Sequence, residues 1–275
     1  MVQNSGNRAR INFMKTDPLA LVKEAIEKKI PEAGNQPFAV FDFDNTCIIN
    51  DIGEAVFAYL CRNKLLKNSD LLAGDAPVDG EYSERVFRHY YNLLEQGKTR
   101  EAYIFCAQVL AGFTPAEAES LVRTVIESEV KNLSTTELYG ISIAHGLVVR
   151  HQVLQLIDFL ESKNVSIWIV SASSEIAVRA AMKHFRIPGN LIGLKNKIQD
   201  GVFTSALEPP LSILEEKVTC IKTIIDRNNP PLLAAGDSPN DLAMLELAMI
   251  KVVIDRGNSL VKKARSRGWF IFSYV

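Results

Sequence analysis

Two acids separated by a single residue, Asp42 and Asp44, close the apolar run in FAVFDFDNTCII, residues 38–49. Side chains alternate along an extended chain, so both carboxylates turn to one face. There they repel each other and lose hydration, and they need either a counter-charge such as a bound cation or a chemical use. The plainer reading is a strand ending in a turn, because DNT is good turn and capping chemistry. Further on, Ser171-Ala172-Ser173 follows a second apolar run, and GDSPND sets Asp237, Asn240 and Asp241 after a third. A hydroxyl ahead of a helix N-terminus can seat a phosphate, since free N–H groups and the helix dipole both favour an anion. Hard oxygen donors from two strand ends, Asp42 and Asp237, describe an Mg2+ site that keeps several waters. Lys217 can bring a cation to the same rim. Taken singly, Ser171 is an ordinary cap, GDSPND a turn before a helix, and Lys217 a solvated helix residue.

These groups need a scaffold that brings distant segments to one edge. Residues 1–16 read as a frayed tail, after which Asp17 and Pro18 open a helix with Leu19, Val22, Ile26 and Ile30 on one stripe. A strand over about 37–44 follows. From Asp51 to about Tyr139 the periodicity is helical, broken by a Gly-, Asp- and Pro-rich loop at 73–80, and Thr114 with Glu117 forms a capping-box pattern. The chain then alternates. Strands are expected at 165–171, 190–194, 231–237, 251–255 and from Gly268 onward. Helices are expected before the first of these and at 174–185, 214–227, 239–248 and up to 267, and Asp200-Gly201 turns a hairpin. Such alternation with near-continuous apolar strands predicts an α/β fold, a Rossmann-like parallel sheet covered on both faces. Ligands in such sheets bind beyond the carboxyl ends of the strands. The expected division is a tail and helix over 1–35, a core of 36–50 and 141–275, and an inserted all-helical module over 51–140.

Composition narrows the partners. The chain has 275 residues, 47% of them hydrophobic, and a formal net charge of -1. That balance gives no basic field for nucleic acid or an anionic membrane surface, and leaves a small molecule as the expected partner. Oligomeric state stays open. The start of the sequence has no apolar signal-peptide core, and no run reaches the ~20 apolar residues of a spanning helix, so a soluble cytoplasmic protein is expected. Cys47, Cys61, Cys106 and Cys220 are scattered without metal-type spacing and read as reduced thiols.

DFDNT, Ser171, Lys217 and GDSPND stand in the order and approximate spacing of the four motifs of the haloacid dehalogenase-like (HAD) phosphohydrolases, which the chain resembles over about 36–50 and 145–260. An insertion directly after the first motif looks like the C1 cap of the phosphoserine phosphatase-like branch. The resemblance implies a phosphomonoester hydrolase working through an aspartyl-phosphate. Asp42 would be the nucleophile and Asp44 the acid that protonates the leaving alcohol and then activates water. Thr46, Ser171, the Ala172 N–H and Lys217 would hold the phosphoryl group. Mg2+ would be held by Asp42, the Asp44 carbonyl and Asp237, with Asn240 and Asp241 behind it. An acid at Asp44 points to phosphate, because dehalogenases lack one there.

The segment leading into the insertion, and the run VFRHYYNLLEQGKTREAYIFCAQVLAGFT, are similar to bacterial phosphorylcholine phosphatases. The resemblance implies that Asp51 or Glu54 pairs with a substrate ammonium. Tyr90, Tyr91, Tyr103 and Phe105 are candidate aromatic faces for a choline-, ethanolamine- or serine-type phosphate ester. Asp51 and Glu54 could equally make a helix capping box, and the tyrosines could be core. Phosphotransfer to a second alcohol, or phosphoester binding without catalysis, are the alternatives to hydrolysis.

Overall fold

The computed structural model describes residues 17–72, 80–129 and 132–274. The tail expected at 1–16 and nearly all of the loop expected at 73–80 lie outside the described residues. Asp17 accepts from the Leu19 amide at 3.0 Å and Pro18 opens α1 (Pro18–Lys29), whose Leu19, Val22 and Ile26 are buried. β1 (Phe38–Phe41) is buried along its whole length. After it come β2 (Ile48–Ile49), α2 (Ile52–Arg62), α3 (Gly80–Glu95), α4 (Thr99–Gln108) and α5 (Pro115–Glu129). The capping box ahead of α5 forms in full: Glu117 Oε2 accepts from the Thr114 amide at 2.8 Å and Thr114 Oγ1 accepts from the Glu117 amide at 3.2 Å.

The segment 51–140 is not helical throughout. β3 (Ser134–Leu138) and β4 (Ile141–His145) form an antiparallel hairpin, and β5 (Val148–Val149) pairs with β2. The β3–β4 turn is Tyr139-Gly140, both at positive φ (49° and 76°). Tyrosine is a poor turn signal. It holds the position here because its hydroxyl donates to the Cys61 carbonyl at 3.0 Å and its ring packs edge-on to Phe87.

The remaining elements are α6 (His151–Ser162), β6 (Ser166–Ser174), α7 (Glu175–Phe185), β7 (Asn190–Leu194), β8 (Asn196–Gln199) and β9 (Val202–Leu207). Then follow α8 (Glu216–Cys220), β10 (Leu233–Gly236), α9 (Leu242–Leu247), β11 (Ile250–Asp255), α10 (Ser259–Arg267) and β12 (Phe270–Ser273). β8 and β9 join through Asp200 and Gly201, both at positive φ. The helix expected over 214–227 is shorter as an α-helix, because α8 widens into a π-type turn at Ile221–Ile225.

The main sheet runs β12-β11-β10-β1-β6-β7, and all of its pairings are parallel. Along β1, Ala39 and Phe41 face one apolar cluster and Phe38 and Val40 the other, so both faces are covered. The first cluster extends without a break into α2, α3, α4 and α5 through Val56, Phe57, Val86, Phe87, Phe105 and Val122. β1 lies between β6 and β10, which makes its carboxyl end the switch point where a doubly wound sheet opens a crevice. No helix among the described residues is long and apolar enough to cross a membrane.

Candidate active site

Asp42 leaves β1 with its amide still bonded to the Ala235 carbonyl of β10 (2.9 Å). The chain then coils tightly, the amides of Thr46, Cys47 and Ile48 all donating to the Phe43 carbonyl, with Asn45 at positive φ. That coil returns Thr46 beneath Asp42, and its hydroxyl donates to Asp42 Oδ2 at 2.9 Å. Arg150 braces the coil from outside, its guanidinium donating to the Thr46, Asn45 and Tyr274 carbonyls.

The two acids of the opening run reach different partners. Asp42 Oδ1 accepts from Lys217 Nζ at 2.8 Å, and the same ammonium donates to Asp241 Oδ1 at 2.7 Å. All three side chains are buried. Asp44 instead accepts from the Ile52 amide (2.7 Å), Ser173 Oγ (2.7 Å) and Ser171 Oγ (3.3 Å). Ser171 is not at a strand end or a helix start. β6 continues to Ser174, and Ser171–Ser173 occupy an irregularity in its pairing with β7 between Val170 and Ser174, with Ser171 four residues ahead of α7. The helix dipole invoked for the phosphate seat is therefore displaced from Ser171 by one turn of chain.

Burial and neighbouring charge separate the acids. Burial and the Asp241 charge raise Asp42 to about 6 against the opposing pull of Lys217 and Thr46. Burial, then Asp51 and Asp42, push Asp44 well above the usual carboxylate range. Asp237 is likewise pushed well up by burial and by Asp241 and Asp42. Burial works against the Lys217 charge, but Asp241 and Asp42 more than offset it and its pKa rises.

One oxygen each from Asp42, Asp237 and Asp241 lie within 4.8 Å of one another, and these hard donors fit a divalent cation that also keeps waters. Their commitments differ. Asp241 Oδ2 already accepts from the Asp237 amide, the Ser238 amide and Ser238 Oγ, and Oδ1 takes Lys217. Among the described residues, Asp237 Oδ1 has only the Thr46 hydroxyl at 3.4 Å. Asp42 and Asp237 thus keep more capacity for an ion than Asp241, whose carboxylate also shapes the loop. Gly236 permits this, since a Cβ there would lie 2.6 Å from Asp241 Cβ.

Two small chambers meet at this edge. One of about 70 Å3 is lined by Asp42, Asp44, Lys217, Asp237, Asn240 and Arg256, among others. A second of about 20 Å3 is lined by Asp51, Gly53, Val56, Tyr90, Cys106 and Leu110 with their neighbours. Asp51, Tyr103, Ala172 and Ser173 border both and form a collar between them.

Asp51 is the N-cap of α2 and accepts from the Glu54 amide at 2.9 Å. The reciprocal half of the capping box is not made: Glu54 Oε1 accepts from Tyr90 Oη at 2.9 Å. Burial and the Glu54 charge raise Asp51 to about 7, and burial raises Glu54. Tyr103 Oη accepts from Asn240 Nδ2 at 2.7 Å, tying α4 to the loop after β10. Tyr91 lines neither chamber and packs on Phe87 and Tyr90, while Phe105 packs on Phe57 and His89. Sequence reasoning named Ser173 within the Ser171-Ala172-Ser173 group but gave it no role, and missed Arg150 and Arg256. Arg256 follows β11, the next parallel strand, and donates to Asp237 Oδ2 at 2.9 Å, so strand order was the signal that could have found it.

The sequence profile of the haloacid dehalogenase-like hydrolases matches residues 39–246. The chain belongs to that family. It is 27% identical over 246 residues to a phosphorylcholine phosphatase of Pseudomonas aeruginosa, covering 76% of this chain and 70% of that one. It is 23% identical over 245 residues to a histidinol-phosphatase of Neisseria meningitidis serogroup C, covering 86% and 98%. Among solved structures, a protein of unknown function from Anaerococcus prevotii superposes with a TM-score of 0.69 at 25% identity, covering 93% of this chain and 91% of that one. A substrate-bound phosphoserine phosphatase gives 0.52 at 15% identity, covering 84% and 90%, which speaks to fold alone. The chain is thus a HAD-type hydrolase, with phosphatases among its relatives.

Proposed function

We propose that the chain is an Mg2+-dependent phosphomonoesterase acting through an aspartyl-phosphate on a small ester whose alcohol carries a cationic amine. In this reading 36–50 and 141–275 form the catalytic core and 51–140 the cap. Asp42, ionised at neutral pH, attacks phosphorus through a carboxylate oxygen, the phosphorus–ester oxygen bond breaks, and Asp44 gives its proton to the departing alkoxide. Water then attacks the same phosphorus. Asp44 takes a proton from it, the bond from phosphorus to Asp42 breaks, and the carboxylate is restored. Both acids are raised, Asp44 the further of the two, which leaves Asp42 the readier to ionise and attack and Asp44 the readier to hold a proton. Lys217, Thr46, Ser171 and the Ala172 N–H orient the phosphoryl oxygens. The bound cation, held by Asp42, Asp237 and the Asp44 carbonyl, with Asn240 and Asp241 behind it, would neutralise the phosphate that a carboxylate must approach.

The observation that carries the substrate class is the second chamber. It is lined by the Asp51 carboxylate and by Tyr90 and Tyr103, Glu54 hangs on Tyr90, and among the described residues no Lys, Arg or His lines it. Two carboxylates that the Arg256 charge reaches from the adjoining chamber, but that no cation among this chamber's described lining residues opposes, favour an ammonium and repel a carboxylate, which ranks phosphocholine and phosphoethanolamine above phosphoserine. Histidinol phosphate, suggested by the Neisseria relative, carries a cationic amine as well. The four free cysteines fit a cytoplasmic enzyme.

The test is phosphate release from phosphocholine, phosphoethanolamine, histidinol phosphate, phosphoserine, glycerol phosphate, sugar phosphates and nucleotides, with Mg2+ and with EDTA. The cationic esters should lead and EDTA should abolish turnover. Sugar phosphates or nucleotides in the lead would sink the ammonium site. Phosphorylated acceptor alcohols among the products would show phosphotransfer.

A further inference from the structure

Arg256 already stands beside the cation position. It sits just past β11, donates to Asp237 Oδ2 at 2.9 Å, and leaves its side chain 40% exposed. Its guanidinium lies 5.7 Å from the centre of the Tyr274 ring, which carries Arg150 at 4.9 Å, and Tyr274 Oη is bonded to Asn45 Oδ1 at 3.3 Å. The charges here are uneven. Three buried carboxylates, Asp42, Asp237 and Asp241, share one ammonium, and Lys217 reaches only Asp42 and Asp241. Asp237 depends on Arg256, with the Asn258 side chain fixing its carbonyl at 2.8 Å.

We propose that Arg256 is a built-in placeholder and competitor for the divalent cation. This rests on the Mg2+ reading above. While no ion is bound, the guanidinium neutralises Asp237 and lets the three carboxylates stay together. When Mg2+ arrives, Arg256 must share the Asp237 carboxylate with it, and the exposed side chain can slide along the Tyr274 ring without losing all contact. A positive charge touching a ligand carboxylate weakens it as a donor, so Arg256 holds the site's affinity for Mg2+ below what the acids alone would give.

The experiment titrates Mg2+ into ion-free full-length protein by calorimetry, without substrate, for wild type, Arg256→Gln and Arg256→Lys, with Asp237→Asn as control. Arg256→Gln should bind Mg2+ about tenfold tighter at low ionic strength, and Arg256→Lys close to wild type. In EDTA, Arg256→Gln should melt below wild type, and saturating Mg2+ should close that gap. Unchanged or weaker Mg2+ binding by Arg256→Gln overturns the proposal. If wild type binds no more Mg2+ than Asp237→Asn, the cation reading itself fails and takes this one with it.

Discussion

Asp51 offers a quantitative test, because its carboxylate is inside the fold before any substrate arrives. Burial and the Glu54 charge raise its pKa from 3.8 to about 7. A carboxyl whose folded pKa is raised binds more protons folded than unfolded, so stability falls as pH climbs from about 4 to about 7 and stays lower above that window. At ~1.36 kcal/mol per pH unit the interval corresponds to at most ~4 kcal/mol, and sharing the charge with Glu54 brings the expected figure to ~2–4 kcal/mol. Asp51→Asn removes the charge but keeps an oxygen to accept from the Glu54 amide, so the α2 cap survives. In EDTA the variant should therefore melt roughly 5–10 °C above wild type at pH 8 and converge with it near pH 4, on the scaling of ~2–4 °C per kcal/mol. Thermal melts from pH 4 to pH 8.5 measure this directly, and choline or ethanolamine should narrow the gap at pH 8 by stabilising only the wild type. A gap that does not change with pH, or a wild type that is the more stable at pH 8, would refute the reasoning.

Lys217→Met leaves Asp42 and Asp241 buried without their shared ammonium. Breaking such a group should cost about 3–5 kcal/mol, read as a loss of roughly 10 °C or more in melting temperature, and should abolish phosphate release. Glu54→Gln should lower kcat/KM about tenfold on a cationic ester and little on glycerol phosphate, whereas equal losses on both would return Glu54 to a purely structural role. Tyr103→Phe removes the oxygen that accepts from Asn240 but keeps the ring between the chambers. It should raise KM severalfold with cationic ester affinity for the ring retained, and unchanged kinetics would show that the link between α4 and the loop after β10 is idle.

Much of the core was legible because its chemistry is written at strand ends. Asp42, Thr46, Lys217, Asp237 and Asp241 come from three separated segments, and a parallel sheet with β1 at its switch point leaves them one edge to share. Three features were not legible, each for a physical reason. The β3–β4 hairpin turns on Tyr139, whose place is set by Cys61 and Phe87 rather than by turn propensity. Tyr90 and Tyr91 are neighbours on one helix about 100° apart, so only one could face the chamber, and which one depends on how α3 packs on α2. Arg256 belongs to no motif, because its value comes from the strand order that places β11 beside β10.

The central claim is that Asp42 carries the phosphoryl group. Acid-quenched protein from the first turnovers on phosphocholine or phosphoethanolamine with Mg2+ should show one added phosphoryl mass on the peptide containing Asp42, absent in Asp42→Asn, which should release no phosphate. Label on another residue, or turnover surviving in Asp42→Asn, would contradict the account.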